Sequence, residues 1–462
     1  MCGVLGQSFE CSSMGIEMAS SNILSEAVVT GVRLEIAPNP AFIDEDVAIC
    51  VRGLRPNTRV TLRASVEDDA GRRWESRGVF ETDEDGCVDP SKQESREGTY
   101  RGRDAMGLFW SMRPERNADD TRRGQATFRK EGVEPDRVKL TVDAAGSSIA
   151  SGELTRRWLM AGTQMREVRE EGLVGRLFVP PGRGPHRVVM VLGGSGGGYD
   201  VDKAAVLSRH GFATLALAYF GAPPLPQWLH RVPVEYFERA LVWLGRQPEI
   251  DARRIGVLGV SRGSELALIL SSMFPQIGAV VAYAPSAISW GSGGRDKATG
   301  EIIPCWTWRN RPLPFAPLPL KAFMWRSAVP VAALRKPVKF RNLFRAALRN
   351  RKAARDAEIP VERANGPILL ISGGDDHVWP AADMAERIAA RLRANRFTHE
   401  AEHTHYPKAG HELRYPFLPT TVRASRSAAM KFPISLGGST ETDAEAQREA
   451  WRRAIAFLGK AL

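Results

Sequence analysis

Gly259-Val260-Ser261-Arg262-Gly263 matches the pattern G-x-S-x-G. The largely apolar run before it, 254–258, predicts a buried strand, and residues 265–270 after it are strong helix formers. A serine between two glycines at a strand-to-helix turn is the setting of a nucleophile elbow, because the glycines permit a sharp turn that lifts the hydroxyl clear of the sheet. We therefore take Ser261 as the candidate nucleophile.

The sequence around this motif alternates between strand patterns and helical patterns. Predicted strands lie at 188–192, 213–218, 254–258, 279–283, 368–372 and 398–406, after an opening hairpin at 165–179. Predicted helices lie at 203–210, 234–244, 264–270, 384–392 and 444–458. Such alternation gives a mostly parallel sheet flanked by helices. We therefore predict an α/β-hydrolase catalytic domain over 151–462.

Residues 28–150 have a different pattern, made of short alternating runs with turn residues between them. Runs such as 32–36, 47–51 and 60–66 recur at a spacing of about ten residues, which is typical of a β-sandwich. We predict an all-β, immunoglobulin-like sandwich domain over 28–150, preceded by a flexible tail over 1–27.

The segment 98–112 is unusually rich in glycine, methionine and aromatic residues for a loop. It is expected either to plug one end of the sandwich core or to form a contact with the catalytic domain.

A serine hydroxyl is a weak nucleophile and needs a base, which is commonly a histidine oriented by a carboxylate. In α/β hydrolases these residues follow in the order Ser, Asp, His. Asp376 lies just after the predicted strand 368–372, and we prefer it to Asp375 because it stands three residues after Gly373. His411 follows the last predicted strand and a glycine, so we predict a triad of Ser261, Asp376 and His411.

The other histidines near these positions are assigned no catalytic role. His377 is adjacent to the predicted acid and is expected either to support the catalytic residues from behind or to be structural. His403 and His405 share one face of a predicted strand, but no third ligand stands at a suitable spacing, so we expect no metal.

A second match to G-x-S-x-G occurs at 193–197. This stretch of glycine and serine follows an earlier strand and is too flexible to form a rigid elbow. We predict instead that it forms the oxyanion loop, with backbone N–H groups of Gly194 and Ser195 acting together with that of Arg262, the residue after the nucleophile. The loop does not read G-x-G-x-x-G, which argues against a dinucleotide-binding fold. We expect no cofactor.

The composition bears on the cellular compartment in which the protein is expected. The chain has 462 residues and five cysteines at scattered positions, which do not suggest a disulfide framework. No stretch is long and apolar enough for a membrane span, and no Lys or Arg precedes Arg33, as the start of a secretory signal would require. We expect a cytoplasmic protein, and the sequence leaves its oligomeric state open.

The net charge of +11 is concentrated in one segment. Between Pro304 and Arg355 there is no Asp or Glu, and the segment lies within a long connection that we predict to be a basic lid over 286–360. Arg341, Arg345 and Arg349 recur at helical spacing, which predicts an amphipathic basic helix. No nucleic-acid-binding motif accompanies the charge, so we expect no nucleic-acid partner.

Several further motifs carry a family resemblance. They are the pattern Tyr-x-Gly-x-Asp-x-Met-Gly-Leu-x-Trp-Ser-Met in 98–112, the stretch 236–240, Asp375-Asp376-His377-x-Trp379, and Gly437-Gly438 before a helix bearing Trp451. With these motifs the chain resembles the acyl-CoA thioesterase / bile acid-CoA:amino acid N-acyltransferase family over nearly all of Val32 to Leu458.

The resemblance implies an acyl-enzyme mechanism on an acyl-CoA. Amino-acid N-acyltransferase members of that family carry cysteine at the elbow, so Ser261 makes this chain similar to the thioesterase branch, with water as acceptor. Three alternatives stay open: an acyl-CoA-dependent N- or O-acyltransferase, a carboxylester or lactone hydrolase, and a non-catalytic binding protein.

The basic helix also allows alternatives in the light of this resemblance. Arg341, Arg345 and Arg349 could bind the phosphates of coenzyme A, because arginine pairs well with phosphate. The segment 335–355 could instead contact an anionic membrane surface, or it could simply be a solvated face.

Overall fold

The computed structural model describes residues 31–115, 127–323, 336–425 and 433–462. The tail expected at 1–27 lies outside these residues.

The first part of the chain forms two β-sheets. The strands are β1 (Arg33–Ala37), β2 (Ala41–Phe42), β3 (Ala48–Arg52), β4 (Arg59–Glu67), β5 (Arg73–Glu81), β6 (Glu97–Gly98), β7 (Arg113–Pro114), β8 (Asp136–Ala144) and β9 (Ser147–Arg157). A seven-stranded sheet has the order β2-β9-β8-β4-β5-β6, with β7 also paired to β5, and β1 pairs separately with β3. Strands β4, β5, β8 and β9 are antiparallel neighbours.

Alternation of side chains explains why these sequences form half-buried strands. In β4, Val60, Leu62 and Ala64 are buried while Arg59 and Arg63 are exposed, as the two-residue period of a strand requires. Strand β9 continues to Arg157, so the domain boundary expected at 150/151 falls inside a strand.

The segment 98–112 both fills the strand layer and contacts the C-terminal part of the chain. Its short helix α1 (Gly107–Trp110) is fully buried. The Trp110 carbonyl accepts a hydrogen bond from the N–H of Thr420 (2.9 Å), and the Met112 carbonyl accepts one from the hydroxyl of Thr421 (2.6 Å). The two roles expected for this segment are therefore compatible.

The remainder of the chain is built on an eight-stranded sheet. Its strands are β10 (Gln164–Val168), β11 (Val174–Val179), β12 (His186–Leu192), β13 (Ala213–Ala218), β15 (Ile250–Val260), β16 (Ile277–Tyr283), β19 (Ile368–Gly373) and β20 (Ala401–Tyr406). Their order in the sheet is β10-β11-β13-β12-β15-β16-β19-β20. All neighbours from β13 to β20 are parallel, and the β10–β11 hairpin adds an antiparallel edge.

Helices connect the strands and cover the sheet. They are α2 (Val201–Ser208), α3 (Glu235–Leu244), α4 (Arg262–Met273), α7 (Ala381–Ala394) and α8 (Thr440–Ala461), with α5 (Arg341–Ala347) and α6 (Arg351–Asp356) between β16 and β19. Single turns of 3-10 helix lie at Glu170–Gly172 and Val361–Arg363. Strands β13, β16 and β19 are buried at every residue, as expected for parallel strands covered on both faces. The α/β-hydrolase fold expected from the sequence is confirmed.

The insertion, residues 286–360, contains short elements. Strands β14 (Val232–Pro233), β17 (Trp306–Trp308) and β18 (Arg311–Pro312) form a small sheet that ties the insertion to the body. The short pair β21 (Ala424–Ser425) and β22 (Ile434–Ser435) lies near the end of the chain.

The prediction of one basic helix in the insertion is wrong. Helix α5 ends at Ala347 and α6 begins at Arg351, because the Asn350 side chain caps the second helix by accepting the Ala353 N–H (3.2 Å).

The two parts of the chain share one of the two apolar clusters. A hydrophobic cluster runs from strands of the N-terminal sheet through α2 to α8. Asp44, which is almost fully buried, accepts hydrogen bonds from the Trp451 ring (2.9 Å) and from Arg209, and it pairs with His210 (2.8 Å). In the described parts of the chain, no helix combines the length and apolarity needed to cross a membrane.

Candidate active site

Ser261 stands at a sharp turn between β15 and α4. Its backbone has φ 55° and ψ −116°, a strained conformation for a residue with a side chain. A Cβ at Gly259 would collide with the Gly263 carbonyl, and one at Gly263 would collide with the Leu192 carbonyl. Both glycines are therefore required by close backbone approach, as the elbow interpretation predicts.

The structure brings Ser261 and His411 together, although 150 residues separate them. The His411 Nε2 atom lies 3.1 Å from the Ser261 Oγ atom. The loop after β20 is fixed by two hydrogen bonds, in which the Gly410 N–H donates to Asp443 (2.7 Å) and the His411 N–H donates to the Leu436 carbonyl (2.9 Å). These bonds fix the backbone of Gly410 and His411, and with it the position from which the histidine ring extends.

Asp376 contacts the other side of the histidine ring. Its Oδ2 atom lies 2.7 Å from His411 Nδ1, while Oδ1 accepts the N–H groups of Val378 (2.7 Å) and Trp379 (3.1 Å). The alternative acid, Asp375, points elsewhere: it pairs with His377 (2.9 Å) and accepts the Gly438 N–H (3.0 Å). Of the two carboxylates, Asp376 alone contacts the histidine that reaches Ser261.

Burial shapes the electrostatics of this group. Ser261, Asp376 and His411 are 7%, 1% and 9% exposed. Burial lowers the pKa of His411, but the adjacent Asp376 carboxylate outweighs it, so that the pKa lies above the ordinary histidine value. An imidazolium formed at this position is therefore stabilised by its neighbour.

The glycine-rich loop after β12 lies beside the serine. A Cβ placed on Gly194 would be in contact with the Ser261 Cβ at 3.4 Å, so the loop backbone runs directly along the nucleophile. Arg262 is the first residue of α4, where a backbone N–H has no acceptor within the helix. Gly194 and Ser195 thus line the same cavity as Ser261, and Arg262 follows the serine directly.

A cavity of about 470 Å³ opens over the serine and the histidine. Apolar side chains such as Phe220, Val378 and Leu413 line it together with the exposed ring of Trp228. The charged side chains Asp200, Asp202, Lys203, Glu412 and Arg414 also contribute to the lining.

The three arginines predicted to bind substrate do not line this cavity. Arg341 donates to the Gly374 carbonyl (3.4 Å), Arg345 pairs with Asp383 on the surface (3.1 Å), and Arg349 is exposed. Charged groups that sequence reasoning missed lie at the cavity instead. Buried Asp202 is bound by Arg414 and by the Tyr415 hydroxyl (2.7 Å). More than 200 residues separate these partners, so no local pattern could have revealed the cluster.

The histidine pair on β20 has a serine as its partner. Ser372 Oγ lies 2.8 Å from His403 Nε2 and 3.2 Å from His405 Nδ1. Within the described ranges, no group of three or more His, Cys, Asp or Glu residues could hold a metal ion.

These observations define the class of protein. A parallel sheet bearing a strained serine at a strand-to-helix turn, with a histidine and an aspartate delivered by later loops, is the arrangement of the serine-type α/β hydrolases.

The chain belongs to the BAAT / acyl-CoA thioester hydrolase family. A family model described as "BAAT / Acyl-CoA thioester hydrolase C terminal" matches residues 232–462, and one described as "Acyl-CoA thioester hydrolase/BAAT N-terminal region" matches residues 44–170. The family resemblance noted in the sequence is confirmed.

Named relatives match over most of their length. The chain is 31% identical over 426 residues to the peroxisomal succinyl-coenzyme A thioesterase of Mus musculus, covering 91% of this chain and 94% of the relative. It is 32% identical over 427 residues to acyl-coenzyme A thioesterase 1 of Homo sapiens, with the same coverage. It is 31% identical over 427 residues to the mitochondrial acyl-coenzyme A thioesterase 2 of Homo sapiens, covering 91% of this chain and 82% of the relative.

Proposed function

We propose that this protein is an acyl-CoA thioesterase that hydrolyses its substrate through an acyl-enzyme on Ser261. The observation that carries the proposal is the unbroken hydrogen-bond chain from Asp376 through His411 to Ser261 at the floor of a cavity. The names of the relatives indicate a thioester of coenzyme A as substrate.

Acylation uses His411 first as a base and then as an acid. The Ser261 Oγ atom bonds to the thioester carbonyl carbon while His411 Nε2 takes the hydroxyl proton. The carbonyl oxygen becomes an oxyanion that accepts hydrogen bonds from the backbone N–H groups of Arg262, Gly194 and Ser195. When the carbon–sulfur bond breaks, His411 returns the proton to sulfur and CoA leaves as the thiol.

Deacylation repeats these steps with water. His411 takes a proton from a water molecule as its oxygen bonds to the acyl carbon, and then gives that proton to Ser261 Oγ as the free acid leaves. Asp376 holds His411 in one tautomer and stabilises its protonated form.

A panel of acyl-CoAs and simple esters tests the proposal. We expect free thiol to be released from at least one acyl-CoA in water, and we expect Ser261→Ala to abolish release. Release only after an amine or alcohol is added would indicate an acyltransferase. Ester cleavage without thioester cleavage would indicate an ester or lactone hydrolase, and full activity of Ser261→Ala would refute the mechanism.

We also propose that the segment 335–355 touches anionic membrane surfaces rather than the substrate. Support comes from the exposed side chains of Lys336, Arg349 and Lys352 in its described part, residues 336–355. Co-sedimentation with anionic vesicles but not with neutral vesicles at low salt would support this contact, and equal behaviour with both would contradict it.

For the cellular location we propose the cytoplasm. Cys50, Cys87 and Cys305 are unbridged, which agrees with a reducing compartment. Imaging of a fluorescent fusion tests this proposal, and a signal confined to an organelle would contradict it.

A further inference from the structure

A buried ion pair lies directly behind the nucleophile. Arg262 and Glu265 occupy the first turn of α4, with Arg262 Nη1 2.8 Å from Glu265 Oε2. Their side chains are 10% and 0% exposed. The proposed mechanism uses the backbone N–H of Arg262 and assigns nothing to either side chain.

Both side chains extend from the helix to the start of the insertion. Glu265 Oε1 accepts the backbone N–H of Trp290 (3.1 Å) and the ring N–H of Trp306 (2.9 Å). Arg262 donates to the carbonyls of Trp290 (3.3 Å) and Gly291 (3.2 Å). The pair therefore fixes both backbone polar groups of Trp290 and ties the insertion to the turn that carries Ser261.

Stability alone is a poor explanation for this arrangement. A buried ion pair loses solvation that its attraction only partly restores, and hydrophobic residues of similar volume often serve stability as well. A cation in the first turn of a helix also opposes the positive end of the helix dipole. What the pair does fix is geometry: the Arg262 side chain donates to three acceptors, next to a serine whose backbone is strained.

We infer that Arg262 and Glu265 are positioning residues that aim the Arg262 N–H at the developing oxyanion. The inference rests on the proposed hydrolase function. An oxyanion donor acts mainly in the transition state, so a donor that is displaced slows the reaction without weakening substrate binding.

The test compares Arg262→Met with wild type by two readouts. The first is the rate at which a fluorophosphonate labels Ser261, because its phosphoryl oxygen occupies the oxyanion position; the second is kcat and KM on acyl-CoA. We expect the labelling rate and kcat to fall by about 10- to 100-fold, with KM nearly unchanged. Labelling at the end point is expected to be complete, which a merely misfolded variant would not show.

Two further variants separate positioning from damage to the fold. Arg262→Lys keeps the positive charge but loses the planar guanidinium group that donates to several acceptors at once. We expect an intermediate labelling rate. The double variant Arg262→Met with Glu265→Gln removes both charges without leaving one unpaired, and we expect it to label no more slowly than Arg262→Met, because the pair acts as a unit. Arg253→Met is the matched control, since it breaks an exposed pair with Asp251 on the same strand, β15.

A wild-type labelling rate in both Arg262→Met and the double variant would overturn the inference. The inference would also be overturned if the apparent loss of labelling in Arg262→Met came entirely from a smaller fraction of protein that can be labelled, with an unchanged rate for that fraction. If wild type is labelled at Ser261 but cleaves no acyl-CoA, the thioesterase proposal fails, while the labelling rates still decide the role of the pair.

Discussion

At the scale of single residues, Ser261 is fixed by its backbone. Its positive φ occurs in a turn where β15 and α4 approach so closely that neither Gly259 nor Gly263 has room for a Cβ. The hydroxyl is therefore aimed at His411 by the turn itself. Removing the hydroxyl is expected to abolish chemistry while leaving the fold intact.

Asp376→Asn tests the orientation of the base. The amide cannot hold His411 in the required tautomer, and we expect kcat to fall by about 10⁴-fold, as in other serine triads, with KM little changed. Asp375→Asn is the control, because Asp375 contacts His377 and Gly438 and does not reach His411. Steady-state kinetics on both variants checks this, and equal losses would contradict the assignment of the acid.

The pH profile of kcat/KM tests the electrostatics of His411. The base must be neutral to take a proton, so activity falls as the pH drops through the His411 pKa, which Asp376 raises above its ordinary value. In Asp376→Asn the raising influence is lost while burial, which lowers the pKa, remains. We expect the residual activity of that variant to persist to lower pH, and an unmoved inflection would contradict this account.

The residues of the candidate site were predictable to different degrees. Ser261, Asp376 and His411 sit beside glycines at strand ends, and such local signals place side chains on one edge of a parallel sheet. The substrate role predicted for Arg341, Arg345 and Arg349 rested on helical spacing and charge, which do not tell where a helix lies relative to the cavity. The Arg262–Glu265 pair was missed because its partners, Trp290 and Trp306, are distant in the chain.

At the scale of elements, the turn between β15 and α4 depends on glycine. Gly263→Ala would bring a Cβ against the Leu192 and Gly193 carbonyls, which cannot move aside easily. We expect a loss of about 1–3 kcal/mol in the free energy of unfolding, together with low activity, since overpacking displaces the elbow. Urea unfolding measures the change.

Gly459→Ala provides the control for that experiment. Gly459 lies in α8, and apart from the neighbouring backbone of that helix no atom lies within 4 Å of an added Cβ. Alanine there is expected to raise the free energy of unfolding by about 0.5–1 kcal/mol. Equal effects of the two substitutions would contradict the packing argument.

The strands of the sheet were easier to predict than the insertion. Apolar runs such as 213–218 and 279–283 correspond to the buried strands β13 and β16, because complete burial leaves a continuous apolar signal. The break between α5 and α6 depends on one side-chain cap at Asn350, which periodicity does not register. Strand β9 runs past the expected boundary at 150/151, because an alternating pattern gives no sign of where pairing stops.

At the scale of the whole molecule, Asp44 joins the N-terminal sheet to α2 and α8. Burial raises the pKa of Asp44, but His210 and Arg209 outweigh it and lower the pKa below the ordinary value. Its ionised form therefore stabilises the folded state above the unfolded pKa, and this contribution is lost as the pH falls through the folded pKa.

Asp44→Asn tests this connection. At pH 7 we expect a loss of about 3–5 kcal/mol in the free energy of unfolding, because the variant leaves Arg209 without its carboxylate in a largely buried contact. The difference from wild type should shrink as the pH falls from about 4, near the unfolded pKa, through the lower folded pKa of Asp44, because the unfolded wild-type chain then binds the proton first. Chemical unfolding at several pH values checks this, and a difference that is constant with pH would contradict it.

In the proposed mechanism, catalysis passes through a covalent acyl-enzyme on Ser261. Mass spectrometry of protein quenched rapidly after mixing with an acyl-CoA detects this intermediate. We expect an adduct with the mass of the acyl group on the peptide that carries Ser261, absent in Ser261→Ala. Turnover of acyl-CoA with no adduct at any time, or an adduct on another residue that is competent to release the acid, would contradict it.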